Sequence, residues 1–136
     1  MRLQGKKIVT FVAEGVEDLE YYVPLMRLQE EGAQVFSAGL DLKPVRGKNG
    51  LVISADTLVE NLRAEDLFGM ILPGGWAPDK LRRYSVVTNL IKQMDDAGKP
   101  IGIICHGGLM AISAGIVKGH RYIFAVLGHR TSCCLG

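Results

Sequence analysis

A cysteine followed at once by a histidine and two glycines, Cys105-His106-Gly107-Gly108, carries more chemical potential than any other segment of this chain. It follows an apolar run at 100–104 and precedes an apolar stretch with helical spacing. The thiol is therefore expected at a strand-to-helix turn. Glycines permit a sharp turn there, and such a nucleophile elbow holds a reactive atom clear of the sheet. The match to the G-x-S-x-G form is partial, because Ile103 stands where the first glycine would be. Sulfur at a helix N-terminus gains thiolate character from the exposed N–H groups. The alternative is a small buried hydrophobe, the usual role of a free cysteine. His106 either reaches the thiol through its rotamer or contributes only its backbone N–H.

Two other segments could serve that thiol. Glu14 closes the first apolar run, where partial burial and a neighbouring thiolate would keep its carboxyl protonated and able to donate to sulfur. It is otherwise an ordinary solvated acid. Glu17, Asp18 and Glu20 are better explained as first-turn acids that complement the helix dipole. Pro73-Gly74-Gly75 offers backbone N–H groups free of side chains, as an oxyanion hole requires, although a plain tight turn needs the same residues. Phosphate-binding glycine loops are missing from the sequence. No grouping has convincing zinc spacing, and His120 and His129 read as surface residues. Neither a cofactor nor a metal is expected.

These segments need a scaffold, and the periodicity supplies one. The runs at 8–12, 33–38, 69–72 and 100–105 read as buried strands, each apolar throughout. Residues 17–31 read as a helix with Leu19, Tyr22, Val23, Met26 and Leu28 near helical spacing, Gly32 as its cap and Pro24 as a kink or first turn. A helix over 85–97 carries Val86, Leu90, Ile91 and Met94, and another spans 109–117. The polar stretch 41–50 and the short run 51–54 suggest a hairpin. Strands alternating with helices indicate a mainly parallel sheet covered on both faces, hence an α/β fold. Ligands bind such sheets beyond the strand C-termini. Glu14, Pro73-Gly74-Gly75 and Cys105-His106 all fall there.

The chain has 136 residues, enough for one domain. Sixteen Lys+Arg against fourteen Asp+Glu, scattered among each other, argue against a nucleic-acid partner. No apolar run approaches the ~20 residues that cross a bilayer, so no membrane role is expected. Three cysteines make a disulfide framework improbable, and with no signal peptide visible a reducing cytoplasm is the expected location.

Taken in order, Phe11-Val12-Ala13-Glu14-Gly15-Val16-Glu17-Asp18-Leu19-Glu20, Ile71-Leu72-Pro73-Gly74-Gly75-Trp76-Ala77-Pro78-Asp79 and Ile104-Cys105-His106-Gly107-Gly108 resemble the ThiJ/PfpI superfamily, nearest its PfpI-type branch. The resemblance implies a flavodoxin-like three-layer sandwich with the elbow after a central strand. It implies Cys105 as nucleophile, Glu14 as its hydrogen-bonding carboxyl and His106 as the adjacent histidine. Gly74, Gly75 and His106 would be the backbone oxyanion donors. Asp79 matches an acid that orients the histidine from a neighbouring protomer, so a homodimer or hexamer is implied. Trp76 would line the interface or the site. The implied activity is attack of the thiolate on a small reactive aldehyde or glycated adduct, in the manner of a glyoxalase or deglycase. Peptide hydrolysis, or redox sensing and holdase action without turnover, are the alternatives; the implied partner is a small carbonyl compound or a peptide.

The resemblance covers residues 6–121, taken as a 1–121 domain, and it stops abruptly. Residues 122–136 do not read like the family's continuation, and a truncated or frame-shifted terminus is the expectation drawn from that. It would leave apolar surface uncovered. The run 122–127 is a candidate substitute strand at a sheet edge. Vicinal Cys133-Cys134 reads as part of a disordered tail, since bridging adjacent cysteines is strained.

Overall fold

The computed structural model describes residues 1–120 in full and the backbone of 122–126 and 129–133. The β-branched residues near the start form β1 (Lys7–Phe11). Helix α1 (Asp18–Glu30) leads to β2 (Gln34–Gly39). A two-stranded antiparallel hairpin follows, β3 (Val45–Arg46) with β4 (Val52–Ile53), then the short β5 (Thr57–Leu58). Strand β6 (Gly69–Leu72) runs into α2 (Ala77–Leu81) and α3 (Ser85–Asp96). Strand β7 (Ile101–Ile103) delivers the chain through a 3-10 turn over Cys105–Gly107 into α4 (Gly108–Ser113).

Five strands make one parallel sheet in the order β5-β2-β1-β6-β7, and helices flank it. Register runs from Lys7 opposite Gln34 to Phe11 opposite Ala38, and from Ile8 opposite Gly69 to Thr10 opposite Ile71. On the far side of β6, Leu72 lies opposite Ile103. Because every pair is parallel, β1, β6 and β7 all end at one edge of the sheet. The α/β class expected from the strand–helix alternation, and the flavodoxin-like form implied by the resemblance, are the ones observed. Within the described residues β7 is the last strand of the sheet, with β6 between it and β1.

Strands buried on both faces build the core. Val9 and Phe11 of β1 and Met70 and Leu72 of β6 are buried together with Leu90, Ile91 and Met94 of α3 and Met110 and Ala111 of α4. Burying each such side chain is worth roughly 1.5–3 kcal/mol. On α3 the fully buried valine is Val87, with Val86 only half-buried, a shift of one residue along the expected stripe. Helix α4 ends four residues short of 117, and Gly115 takes the left-handed conformation after it.

Helix α1 departs further from its sequence pattern. Of its residues only Asp18 and Tyr21 are buried, whereas Leu19, Val23 and Met26 lie on the surface at 65, 53 and 51% exposure. Pro24 sits inside the helix and neither starts it nor ends it, so the Glu20 carbonyl lacks its usual helical donor. Strand β5 and helix α2 have no counterpart in the sequence reading, being two and five residues long. The run after residue 121 does form a strand, β8 (Tyr122–Val126), but it pairs antiparallel with β9 (His129–Cys133) and not with an edge of the five-stranded sheet. Of the Cys133-Cys134 pair, Cys133 ends β9 instead of lying in a disordered tail, and Cys134 lies outside the described residues. Among those described, no helix is long and apolar enough to cross a membrane.

Candidate functional site

The connection after β7 makes the elbow. Cys105 has φ of 51°, and it is the one non-glycine with positive φ among the described residues. A cysteine in that region stores backbone strain, of order 1–3 kcal/mol, which the surroundings must hold in place. Gly107 shows how they do so. It packs so closely on β6 that an added Cβ would strike the Leu72 carbonyl, and its N–H closes the turn on Ile104 O at 2.8 Å. The thiol is exposed, which removes the reading of Cys105 as a buried hydrophobe. Its Sγ lies 3.1 Å from His106 Nδ1, so the neighbouring ring does reach the sulfur.

The carboxyl beside the thiol is Glu20, not Glu14. Glu14 is exposed, and its Oε2 accepts the Arg46 N–H at 2.9 Å, on the hairpin side of the loop. The reason is the turn at 12–17, which swings Glu14 outward before α1 begins. Glu20, in the first turn of α1, accepts the Gly74 N–H at 2.7 Å. Gly74 in turn abuts the elbow: an added Cβ would sit 2.9 Å from Cys105 Cβ and 3.0 Å from His106 N. The consequence for the thiol is a pKa raised above its ordinary value. Partial burial is the largest cause, with the Glu20 carboxylate adding to it; the His106 backbone N–H and the Lys48 ammonium act in the opposite direction.

The oxyanion donors are reduced by the same contact. Gly74 spends its N–H on Glu20 and is not free to polarise a substrate oxygen. Gly75 (φ 83°) forms a bridge with Val16, in which Trp76 donates its N–H to Gly15 O and Glu17 donates to Gly74 O. Its own N–H has no partner among the described residues and stays available. Asp79 is not brought to His106 within the chain. Its Oδ2 accepts from Arg83 Nη2 at 2.6 Å on an exposed face of α2. The five site residues other than Asp79 all converge on the C-terminal edge of β1, β6 and β7, with Glu14 at its margin.

The hairpin forms the remaining wall, which sequence reasoning had left out. Asp18, only 2% exposed, accepts N–H groups from Asn49 at 2.7 Å and Leu51 at 2.8 Å. These bonds hold its pKa below the usual carboxylate range, the Asn49 N–H foremost. Lys48 donates its N–H to Val16 O at 2.8 Å, and its ammonium lies 5.4 Å from the centre of the Trp76 ring. Trp76 is largely exposed and packs on Gly15, where φ is 80° and any side chain would collide with the indole. Glu17 caps the helix as its place in the sequence suggests, while Asp18 in the same turn anchors the hairpin.

Comparison with known proteins agrees with this geometry. The DJ-1/PfpI family matches residues 6–125. A protein of Thermococcus kodakarensis named deglycase TK1284 is 36% identical over 85% of this chain and 69% of its own length. One of Pyrococcus furiosus named deglycase PfpI is 34% identical over the same shares. Among solved structures, Drosophila melanogaster DJ-1beta superposes with a TM-score of 0.78 at 25% identity, covering 85% of this chain and 63% of that one. A two-domain protein of Anabaena variabilis, with DJ-1/ThiJ/PfpI-like and ferritin-like domains, gives 0.81 at 29% identity, and this chain spans a third of it, 33%, with 84% of its own length. With the family model spanning most of the chain and relatives above 30% identity covered over two thirds of their length, the chain belongs to the DJ-1/PfpI family.

Proposed function

We propose that Cys105 is a nucleophile toward small reactive carbonyl compounds, and that the chain converts 2-oxoaldehydes to 2-hydroxy acids or removes their adducts. The observation that carries this reading is the exposed thiol on a strained elbow, 3.1 Å from His106 Nδ1 and beside the Glu20 carboxyl. His106 takes the thiol proton as sulfur bonds to the aldehyde carbon, and the carbonyl π pair moves to oxygen, which is protonated to a hemithioacetal. A proton then moves from that carbon to the adjacent ketone carbon through an enediol, giving a thioester. Water cleaves the thioester, releases the hydroxy acid and restores the thiol. The net change is addition of one water, with no external oxidant. The free Gly75 N–H is the donor suited to the developing oxyanion. Relatives named deglycase support the carbonyl chemistry.

Peptide hydrolysis asks more of the site, because an amine leaving group needs a firmly oriented histidine. Asp79 of the same chain is held by Arg83. In this proposal an orienting acid comes from Asp79 of a second copy, in a dimer or a stacked hexamer. Incubation with methylglyoxal tests the reading: lactate should form with wild type and not with Cys105→Ser. Equal lactate from both proteins would overturn it.

A further inference from the structure

The hairpin wall carries a cation that the chemistry above does not use. Three acids near it are committed to N–H donors: Glu14 to Arg46, Glu17 to Asn49 Nδ2 and the Glu20 N–H, and Asp18 to Asn49 and Leu51. Glu20 is likewise committed to Gly74. Lys48 forms no ion pair among the described residues, and its ammonium rests over the Trp76 indole. A ring face positions a cation without neutralising it. The backbone beneath is fixed, since the Lys48 N–H bonds Val16 O and the flanking Gly47 and Asn49 N–H groups bond Leu51 O and Asp18. Trp76 follows Gly74 and Gly75 directly, so this charge stands over the loop that abuts Cys105. Of the influences on the Cys105 thiol the Lys48 ammonium is the weakest, and it acts in the direction that lowers the pKa.

We propose that Lys48 is a specificity-determining residue: its ammonium binds a carboxylate carried by the substrate, so that the site favours anionic 2-oxoaldehydes such as 4,5-dioxopentanoate over neutral ones. This rests on the reading of Cys105 as the nucleophile, and it adds the substrate's charge class. Lysine suits the role as a mobile point charge on a flexible stem, able to follow small substrates of different length.

The test compares alkylation of Cys105 by iodoacetate and by iodoacetamide, which differ in charge and share one thiolate. Their rate ratio cancels any change in thiol pKa. Lys48→Gln should lower the iodoacetate-to-iodoacetamide ratio about three-fold, the effect of one charge a few ångströms away in water. Lys48→Arg should keep the ratio, and raised salt should erase the difference between wild type and Lys48→Gln. An unchanged ratio in a folded Lys48→Gln protein overturns the proposal. A second arm measures turnover: Lys48→Gln should lower kcat/KM on 4,5-dioxopentanoate more than on methylglyoxal, so that the ratio of the two falls. If neither compound is turned over but the alkylation ratio still depends on Lys48, the carbonyl reaction fails and the anion subsite stands. If methylglyoxal is turned over and the ratio ignores Lys48, the subsite fails alone.

Discussion

Glu20 faces Cys105 across Gly74: one carboxylate oxygen takes the Gly74 N–H at 2.7 Å, and the Gly74 Cα leaves no room for even a methyl group between acid and thiol. Glu20 stands three residues after the N-cap Glu17, where a glutamate ordinarily reaches back to cap its own helix. Here the helix N-terminus is served by Glu17, whose Oε2 accepts the Glu20 N–H at 2.9 Å. The Glu17 N–H goes to Gly74 O at 3.1 Å. The Glu20 side chain is thereby released to cross to the next strand's loop.

Gly107 tests the packing behind the elbow. Gly107→Ala must push the new methyl against the Leu72 carbonyl, a backbone atom that cannot swing away. Urea unfolding should show a loss of about 1–3 kcal/mol, the usual cost of overpacking, together with loss of rapid Cys105 alkylation. Stability equal to wild type would mean that the turn is looser than described.

Cys105 itself should carry a stability cost. Glycine adopts φ of 51° without strain, so Cys105→Gly should be more stable than Cys105→Ala by about 1 kcal/mol while both lack any thiol chemistry. The comparison is read in denaturant midpoints at constant m. Equal midpoints would remove strain from the account.

Asp18 makes hairpin docking pH-dependent. Its folded pKa is depressed, so the stabilisation it gives is present above the unfolded value and is lost as pH falls through the lower folded value. Amide exchange at Asn49 and Leu51 should therefore be protected at neutral pH and accelerate in acid below about pH 4. Asp18→Asn should show the accelerated exchange already at neutral pH. Protection that persists in Asp18→Asn would assign the anchoring to other contacts.

The core supplies a control for these variants. Met94 is fully buried, and Met94→Ala should cost about 2–5 kcal/mol. Leu19, 65% exposed, should tolerate alanine within about 0.5 kcal/mol in the monomer. A larger loss at Leu19 that grows with protein concentration would place the outer face of α1 in an interface between copies, and light scattering would give its size.

How far the sequence alone reached depends on the range of the interactions. β6 was legible to the residue because Gly69 and Pro73 bracket an apolar run, and α3 because its stripe repeats over three turns. The elbow was legible because its glycines leave few alternatives. Position along β1 favours Glu14, whereas side-chain direction favours Glu20, and direction decides. Long helical side chains lean toward the helix N-terminus, and that rule aims a third-position glutamate back at the strand ends. Arg46 and Asn49, which claim the nearer acids, lie about thirty residues downstream, beyond any local pattern. The outward apolar face of α1 was unreadable for the same reason: spacing gives a stripe, and only the partner layer says which side is buried.

The central claim is that Glu20 is the acid governing the Cys105 thiol. The direct measurement is the pH dependence of iodoacetamide alkylation at Cys105 in wild type, Glu20→Gln and Glu14→Gln. Removing the Glu20 charge removes one cause of the raised pKa, so the inflection for Glu20→Gln should move to lower pH, while Glu14→Gln should follow wild type. An inflection that stays put or rises in Glu20→Gln, or one that moves in Glu14→Gln instead, would contradict the account.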